Sequence, residues 1–366
     1  THAHTHRHVF GAKSDVRENV HYVDESTVLY PAGHQIVLYH VESKTQRFIP
    51  CSADTEGITA LALSPNRKYL AVAERAEKAQ IAVYDLASLK RRKVLSSADV
   101  GGREYVSLSF SPDGRCVLAQ GGAPEWNVAL WQWEKNKCAA VFPARASASQ
   151  TPAAVDQIAW NPSDPATASL SGEGSFRAFK MTESSAKALP SALGNKRDKA
   201  RYVAHCWLPE DAASAESNAA PSERGADGTS GAELPEGAAS EEREAPRRCV
   251  VVDKDGEVLV VENNEVRATL DSSLGADCVV AFGTRGFIVG GERGTVRVYD
   301  KTEDERMFKL KKTLAVDPAR DDASLAPSAA AGAAPPVPGR VRSMALSPSE
   351  DQLAGSTSDG QGYVLD

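Results

Sequence analysis

Short hydrophobic runs alternate with turn-forming residues along most of the chain. Residues 58–63, 69–73 and 81–84 are runs of mainly aliphatic and aromatic side chains, and Gly, Pro, Asn or Asp residues separate such runs. Short β-branched and aromatic runs bounded by turn formers predict β-strands. Apolar positions three and four residues apart, which would indicate helices, do not recur. The pattern therefore predicts an all-β protein.

The strand pattern is repeated along the chain. A unit of strand, turn, strand, hairpin and strand occupies residues 58–85 and recurs at residues 105–131, 155–179 and 341–366. The Ser-Pro-Asp-Gly sequence at residues 111–114 fits a type I turn between two of these strands, because proline presets φ at the second position. A tight hairpin between the second and third strands needs positive φ, which glycine adopts without strain. Glycine stands at this point in four units, as Gly174, Gly256, Gly294 and Gly360.

One aromatic or aliphatic residue marks the third strand of every unit. These anchors are Tyr39, Tyr84, Trp131, Phe179, Val261, Tyr299 and Leu365. Once insertions at residues 210–248 and 315–339 are set aside, the anchors recur at close to the roughly 40–45 residues of a WD40 blade. Aspartate follows Tyr84 and Tyr299 as it follows tryptophan in the WD40 signature, whereas the Gly-His half of that signature is not evident. Seven anchors predict a seven-bladed WD40-type β-propeller.

The whole chain, residues 1–366, is expected to form this one propeller. The expected blades lie at residues 12–50, 57–95, 104–144, 154–195, 201–271, 276–314 and 340–366. The last blade lacks a fourth strand, and residues 8–11 precede the first blade without belonging to it. Because an open ring leaves an unpaired strand edge, we expect residues 8–11 to supply the missing strand and to close the ring.

The two insertions differ from the repeats in composition. Residues 210–248, within blade five, contain no aromatic residue and are rich in Ala, Ser, Glu and Gly. Residues 315–339, between blades six and seven, are rich in Ala and Pro. Such segments have too little apolar surface to pack, so we expect the first to be disordered and the second to be flexible.

Composition and charge narrow the functional classes. Most of the net charge of -7 lies in residues 210–248, so the rest of the chain predicts no general attraction to nucleic acid or to an anionic membrane. No apolar run approaches the roughly 20 residues of a membrane-spanning helix, and the first residues do not resemble a signal peptide.

The six cysteines are scattered, without Cys-x-x-Cys spacing. We expect six free, buried thiols and a reducing, intracellular location.

Motifs of known catalytic chemistry are absent from the sequence. There is no phosphate-binding GxxxxGK[ST] loop, no HExxH and no GxSxG elbow. His21, His34, His40 and His205 are isolated from one another in the sequence, and we expect each to be a half-buried strand or loop residue. The chain is therefore not expected to be an enzyme or to hold a cofactor.

Four histidines alternate at the start of the chain, at His2, His4, His6 and His8. On an extended strand alternate residues share one face, so four imidazoles could chelate a metal ion. The other interpretation is a solvated chain end. The sequence alone does not assign a metal site here.

Three basic clusters are the candidate contact residues. They are Lys90, Arg91, Arg92 and Lys93; Lys196, Arg197 and Lys199; and Lys309, Lys311 and Lys312. Lysine on an outermost strand protects that edge against mispairing. The same side chains could also bind an acidic protein surface such as that of tubulin. Nucleic acid is not expected as a partner, because no aromatic residues are interleaved with the cationic ones.

Several stretches of the chain are more specific than a general WD40 pattern. They lie at residues 8–11 (His-Val-Phe-Gly), 24–25, 30–34 (Tyr-Pro-Ala-Gly-His), 46–50, 62–71, 110–113, 133–135 and 202–205. In these stretches the chain resembles the cilia- and flagella-associated protein 57 family, WD-repeat proteins of motile axonemes. The resemblance covers almost the whole chain and is weak in the two insertions.

The resemblance implies a function. Members of this family are large proteins with two tandem propellers followed by coiled coil, and this chain, which has no heptad repeat, would correspond to the N-terminal propeller. It implies a non-catalytic scaffold in the cytoskeleton of the cilium or flagellum axoneme, which positions inner dynein arms on the doublet microtubule. The implied partners are inner dynein arm subunits, doublet-microtubule-associated proteins and tubulin. The alternative is a general intracellular WD40 adaptor in another multiprotein complex.

Replacing residues 210–248 by a short Gly-Ser linker should leave the fold intact. The segment buries too little apolar surface to contribute to the core, so the melting temperature should change by no more than a few degrees. Calorimetry of the two proteins measures this. Loss of cooperative unfolding in the shortened chain would show that a strand of the propeller lies within the segment.

Overall fold

The computed structural model describes residues 11–144, 153–182, 184–190, 192–193, 200–209, 247–302, 308–316 and 339–366. These residues contain 27 β-strands in seven antiparallel sheets. Within these ranges there is no α-helix, only single 3-10 turns at Trp133–Lys135 and Glu292–Gly294. The expected all-β class is confirmed.

Each sheet is one blade, and its strands follow one another in the chain. Blades one and two contain β1 (His21–Tyr22), β2 (Thr27–Ala32), β3 (Gln35–His40), β4 (Thr45–Pro50), β5 (Gly57–Leu63), β6 (Tyr69–Arg75), β7 (Gln80–Asp85) and β8 (Lys90–Ser96). Blades three and four contain β9 (Tyr105–Phe110), β10 (Cys116–Gly121), β11 (Asn127–Gln132), β12 (Lys137–Pro143), β13 (Val155–Trp160), β14 (Thr167–Gly172), β15 (Ser175–Met181) and β16 (Ala186–Ala188). Blades five to seven contain β17 (Tyr202–Trp207), β18 (Arg248–Asp253), β19 (Glu257–Glu262), β20 (Glu265–Asp271), β21 (Ala276–Phe282), β22 (Gly286–Gly291), β23 (Thr295–Lys301), β24 (Phe308–Ala315), β25 (Val341–Leu346), β26 (Leu353–Thr357) and β27 (Gly362–Leu365).

The seven sheets form a ring. The first strands of neighbouring blades contact one another in the order β5, β9, β13, β17, β21, β25 and β1. The first strands therefore line a central channel, and the later strands of each blade lie further out. The molecule is a seven-bladed β-propeller, as the seven anchors predicted, and each anchor lies on the third strand of its blade.

The hydrophobic core lies between the blades. Leu70 and Val72 of β6 pack against blade one, whereas Ala71 and Ala73 of the same strand pack against blade three. Successive side chains of a strand point to opposite faces of a sheet, so a strand covered on both sides is apolar at consecutive positions. Each of the seven buried clusters fills the space between one pair of adjacent blades.

The turns have the conformations that the sequence predicts. The amide of Gly114 donates to the carbonyl of Ser111 over 2.8 Å, which closes the turn at residues 111–114. The four hairpin glycines all have positive φ, at Gly174 (63°), Gly256 (104°), Gly294 (64°) and Gly360 (82°). Here glycine is required by backbone conformation, since larger residues are strained at positive φ.

The edges of the expected segments differ slightly from the observed strands. Residues 12–20, which the repeat pattern assigned to blade one, precede β1 and lie outside its sheet. Arg248 already belongs to β18, where its Nε donates to Glu262 Oε2 on β19 over 2.9 Å. Ala315 is the last residue of β24, and Val316 is buried between blades six and seven. The remaining residues of both insertions, 210–246 and 317–338, lie outside the described residues. The disorder of the first insertion and the flexibility of the second therefore stay predictions.

Ring closure by residues 8–11 also stays a prediction. Residues 1–10 lie outside the described part of the chain, and with them the histidines at positions 2, 4, 6 and 8. Among the described residues blade seven has three strands. The Ala12 amide donates to the carbonyl of Gly360 over 2.7 Å, immediately before β27.

Candidate functional site

The first basic cluster lies on the outer edge of blade two. Lys90, Arg91, Arg92 and Lys93 are the first four residues of β8, and all four are exposed. Arg91 Nη1 donates to Ser52 Oγ over 3.0 Å, so this side chain also tethers the loop that follows blade one. The charges of Lys90, Arg92 and Lys93 lie at the outer edge of the propeller.

The second described cluster lies on the outer edge of blade six. Lys309, Lys311 and Lys312 are exposed on β24, and Leu310 between them is 46% exposed. Lys311 Nζ lies 2.5 Å from Asp300 Oδ2 on β23. Lys309 and Lys312 extend the positive charge on either side of this ion pair.

Both basic edges contain a β-bulge at the corresponding place. The pairing of β7 with β8 shifts register after Val83, and that of β23 with β24 shifts after Val298. A bulge and a row of lysines both discourage another strand from pairing with an exposed edge. The edges are therefore better suited to side-chain contacts with a partner than to strand addition.

The structure does not bring the basic clusters together. Blades two and six are not neighbours, because blades seven and one separate them on the shorter path around the ring. Lys196, Arg197 and Lys199 lie outside the described residues. The two described edges therefore form separate surfaces, and their role in protein contact stays a prediction.

The channel mouth contains a polar site that sequence reasoning missed. Arg17, in the segment before β1, donates from Nη1 to the Val203 carbonyl over 3.0 Å. Its Nη2 lies 3.1 Å from Asp156 Oδ1. Asp156 is only 6% exposed and also accepts from Arg201 Nη2 and Nε over 2.8 and 2.9 Å. One buried carboxylate thus joins a residue that precedes blade one to blades four and five.

Glu18 makes the neighbouring contact. Its side chain accepts a hydrogen bond from Gln157 Nε2, and Gln157 Oε1 accepts from the His205 amide over 2.6 Å. Burial raises the pKa of Glu18 to about 7, although the Gln157 hydrogen bond and the Arg17 charge act in the opposite direction. Glu18 also has φ of 47°, a left-handed conformation that is uncommon outside glycine.

Two cavities lie on either side of these contacts. One, of about 320 Å³, is bordered by Lys13, Arg17, Arg75 and Trp126 and faces blades two to four. The other, of about 190 Å³, is bordered by Arg17, Glu18, Asp277 and Arg342 and faces blades five to seven. Arg17 borders both, so the segment before β1 divides the mouth of the channel.

His205 is not the half-buried strand residue that the sequence suggested. It is 1% exposed on β17, with Nε2 2.7 Å from Ser169 Oγ and Nδ1 2.9 Å from Ser171 Oγ. Ser169 Oγ also accepts the indole N–H of Trp207 over 2.9 Å, so two serine hydroxyls engage both ring nitrogens of His205 and this indole. Burial lowers the pKa of His205 to about 3, which keeps the ring neutral.

The other three histidines are more accessible. His34 is exposed, and His21 and His40 are partly exposed, so the expectation of half-burial holds for the latter two. Burial at the channel lowers the pKa of His21 to about 4. Within the described residues no group of three or more His, Cys, Asp or Glu side chains is placed to hold a metal ion.

The expectation of six buried thiols is only partly met. All six cysteines are free, but only Cys249 and Cys278 are fully buried. The other four occupy partly exposed strand and loop positions. Burial raises the pKa of Cys51, Cys206 and Cys278, which keeps these thiols protonated and unreactive. Of the described residues, none form a helix long and apolar enough to cross a membrane.

Comparison with curated proteins confirms the family resemblance. The chain is 34% identical over 207 residues to cilia- and flagella-associated protein 57 of Mus musculus, which covers 56% of this chain and 16% of that protein. It is 28% identical over 174 residues to cilia- and flagella-associated protein 44 of Mus musculus, covering 48% and 9%. It is 27% identical over 188 residues to cilia- and flagella-associated protein 57 C of Tetrahymena thermophila, covering 48% and 14%. The chain thus matches only a small part of the length of these relatives. No family model matches it.

Solved structures share the fold. The chain superposes on the WD40 repeats of RRP9 with a TM-score of 0.61 at 16% identity, over 95% of this chain and 92% of that one. It superposes on a chain of the mitotic checkpoint complex with a TM-score of 0.66 at 11% identity, over 99% and 95%. At such low identities these matches establish the WD40 propeller architecture and nothing about function.

The buried histidine predicts how stability depends on pH. The pKa of His205 is about 3 in the folded chain, against about 6.5 when unfolded, so the unfolded chain binds more protons between these values. The contribution of the buried, neutral His205 to the free energy of unfolding is therefore fully present above pH 6.5. About 2 kcal/mol of this contribution is lost by pH 5. His205→Gln removes the titration. The wild type should be more stable than the variant at pH 7.5, and the difference should shrink by about 2 kcal/mol at pH 5.

Urea unfolding at the two pH values measures this difference. His34→Gln is the control, because it makes the same substitution at an exposed histidine. A difference between wild type and His205→Gln that is the same at both pH values would contradict the buried, neutral state of His205.

Proposed function

We propose that this chain is a non-catalytic protein-binding scaffold of the cilium or flagellum axoneme. The observation that carries the proposal is the 34% identity over 207 residues to a protein named cilia- and flagella-associated protein 57. Proteins 44 and 43 of the same naming series, both from Mus musculus, are also similar to it. The resemblance thus extends over several WD-repeat relatives whose names share one location.

The architecture suits a scaffold. A closed ring of sheets is rigid, and its loops and outer edges remain available to partners. The polar groups buried between blades four and five are engaged with one another, as in the hydrogen bonds of His205 with Ser169 and Ser171. These hydrogen-bonded groups fix how the two blades pack against each other, and we propose no catalytic role for them.

More specifically, we propose that the scaffold positions inner dynein arms on the doublet microtubule. The basic edges of blades two and six support this, because exposed cations attract acidic protein surfaces and raise the rate of encounter at low salt. Their separation on the ring allows two acidic partners, or two parts of one partner, to be held at the same time. Inner dynein arm subunits, doublet-microtubule-associated proteins and tubulin are the partners proposed.

Localisation tests the proposal. A tagged form of the chain, expressed in a ciliated cell, should be found along the axoneme and should stay there after the membrane is removed with detergent. Fluorescence before and after extraction measures this. Diffuse signal in the cell body, with none retained on axonemes, would favour the general WD40 adaptor instead.

Charge reversal tests the basic edge of blade six. Lys309→Glu with Lys312→Glu should weaken binding of the purified chain to isolated doublet microtubules by about fivefold or more at low salt, since two exposed ion pairs of ~0.5–1 kcal/mol each are lost. Lys180→Glu with Lys187→Glu is the matched control, because these two exposed lysines face each other on the outer strands of blade four. Cosedimentation across a salt series measures the affinity. Equal affinity of the two double variants for doublet microtubules would show that the edge of blade six is not part of the contact surface.

A further inference from the structure

Of the seven buried clusters that the described residues form, the one at the joint between blades seven and one is the smallest. Its fully buried apolar members are Val20, Tyr22, Val28 and Ala354, whereas the cluster between blades two and three extends from Ala60 to Trp133. Strand β1, on one side of this joint, has two residues. Among the described residues, this joint therefore has less hydrophobic stabilisation than the others.

Residues 11–20 bind both sides of this joint. The Ala12 amide donates to Gly360 of blade seven over 2.7 Å, and the Lys13 amide donates to Pro31 of blade one over 2.8 Å. Asn19 is completely buried, and its Oδ1 accepts from Ser356 Oγ of blade seven over 2.7 Å. These bonds place the segment across the joint.

Further bonds hold the segment to itself and to the channel wall. Asn19 Nδ2 donates to the Lys13 carbonyl over 2.7 Å, which fixes the intervening residues as a compact loop. The Val20 amide donates to Ser343 Oγ on β25 over 3.1 Å, and Ser343 is 1% exposed. Hydrogen bonds buried to this degree are costly to leave unmade.

The same segment reaches the far side of the ring. Blade four lies opposite the joint between blades seven and one in a seven-membered ring, and blade five is next to it. Arg17 bonds to one residue of each, Asp156 and Val203. Glu18 adds the contact with Gln157 of blade four. Guanidinium can bind two acceptors at once through its planar fork, which the single ammonium of lysine does less well.

We propose that residues 11–20 form a latch that holds the joint between blades seven and one closed by anchoring it to blades four and five across the channel. Opening the joint would require the Arg17 and Glu18 contacts to break together with those of Ala12, Asn19 and Val20. The latch acts separately from any pairing of residues 8–11 with β27, because its far-side contacts are side-chain contacts inside the channel. While it is in place, it divides the channel mouth into the two cavities.

Amide hydrogen exchange of the purified chain tests the latch. Arg17→Ala should increase exchange about fivefold or more in β1 and β25–β27, which flank the joint, and leave β5–β12 unchanged. Arg103→Ala is the matched control, because it removes another ion pair between blades, with Glu56, outside the latch. The control should leave exchange at the joint unchanged.

Arg17→Lys keeps the positive charge but removes the planar guanidinium that binds two acceptors. It therefore distinguishes the two-acceptor contact from the effect of charge alone. It should increase exchange at the joint as the alanine variant does, although by less, and it also serves if Arg17→Ala does not fold. Exchange at the joint that is the same in the Arg17 variants as in Arg103→Ala would overturn the proposal. So would a uniform increase across all seven blades, since that indicates general destabilisation.

Discussion

Every blade of this protein is a sheet with two apolar faces, and each face is buried mainly against the neighbouring blade. Leu70 and Ala71 illustrate the constraint, because adjacent residues of one strand belong to the cores on opposite sides of the same sheet. A linear stack of such sheets would expose an apolar face at each end. A closed ring exposes neither, so the fold depends on closure.

Ring closure depends on one joint, at which blade one contacts blade seven although the chain does not run directly from one to the other. There the buried apolar cluster is small, and polar contacts are numerous, among them Asn19 with Ser356 and Val20 with Ser343. Hydrogen bonds between buried groups specify one geometry, whereas apolar contact tolerates several. These polar contacts thus help to define the geometry of the joint.

Much of the fold could be predicted because its determinants are local. Hairpin glycines, the Ser-Pro-Asp-Gly turn and the spacing of the third-strand anchors all act over a few residues, and they recur. The channel contacts could not be predicted in the same way. Arg17 meets Val203 from 186 positions away, and Glu18 meets Gln157 from 139. No local signal singled out residues 12–20, which the repeat pattern assigned to blade one.

The positions of the candidate contact residues were also only partly predictable. A run such as Lys90 to Lys93 shows that charge is present, and the strand pattern shows that it lies near a blade edge. Only the ring shows that this edge and that of Lys309 to Lys312 belong to non-neighbouring blades. His205 gave no sign of complete burial, because its partners Ser169 and Ser171 lie on the preceding blade.

In the proposed function, a closed ring binds axonemal proteins through its outer surface while its core and channel maintain the fold. Electron cryomicroscopy of doublet microtubules carrying this chain tests that claim most directly. We expect a seven-bladed ring in the density, with the outer edge of blade two or blade six against a neighbouring protein and residues 11–20 across the channel mouth. A ring contacted only through its channel, or doublets without any such ring, would contradict it.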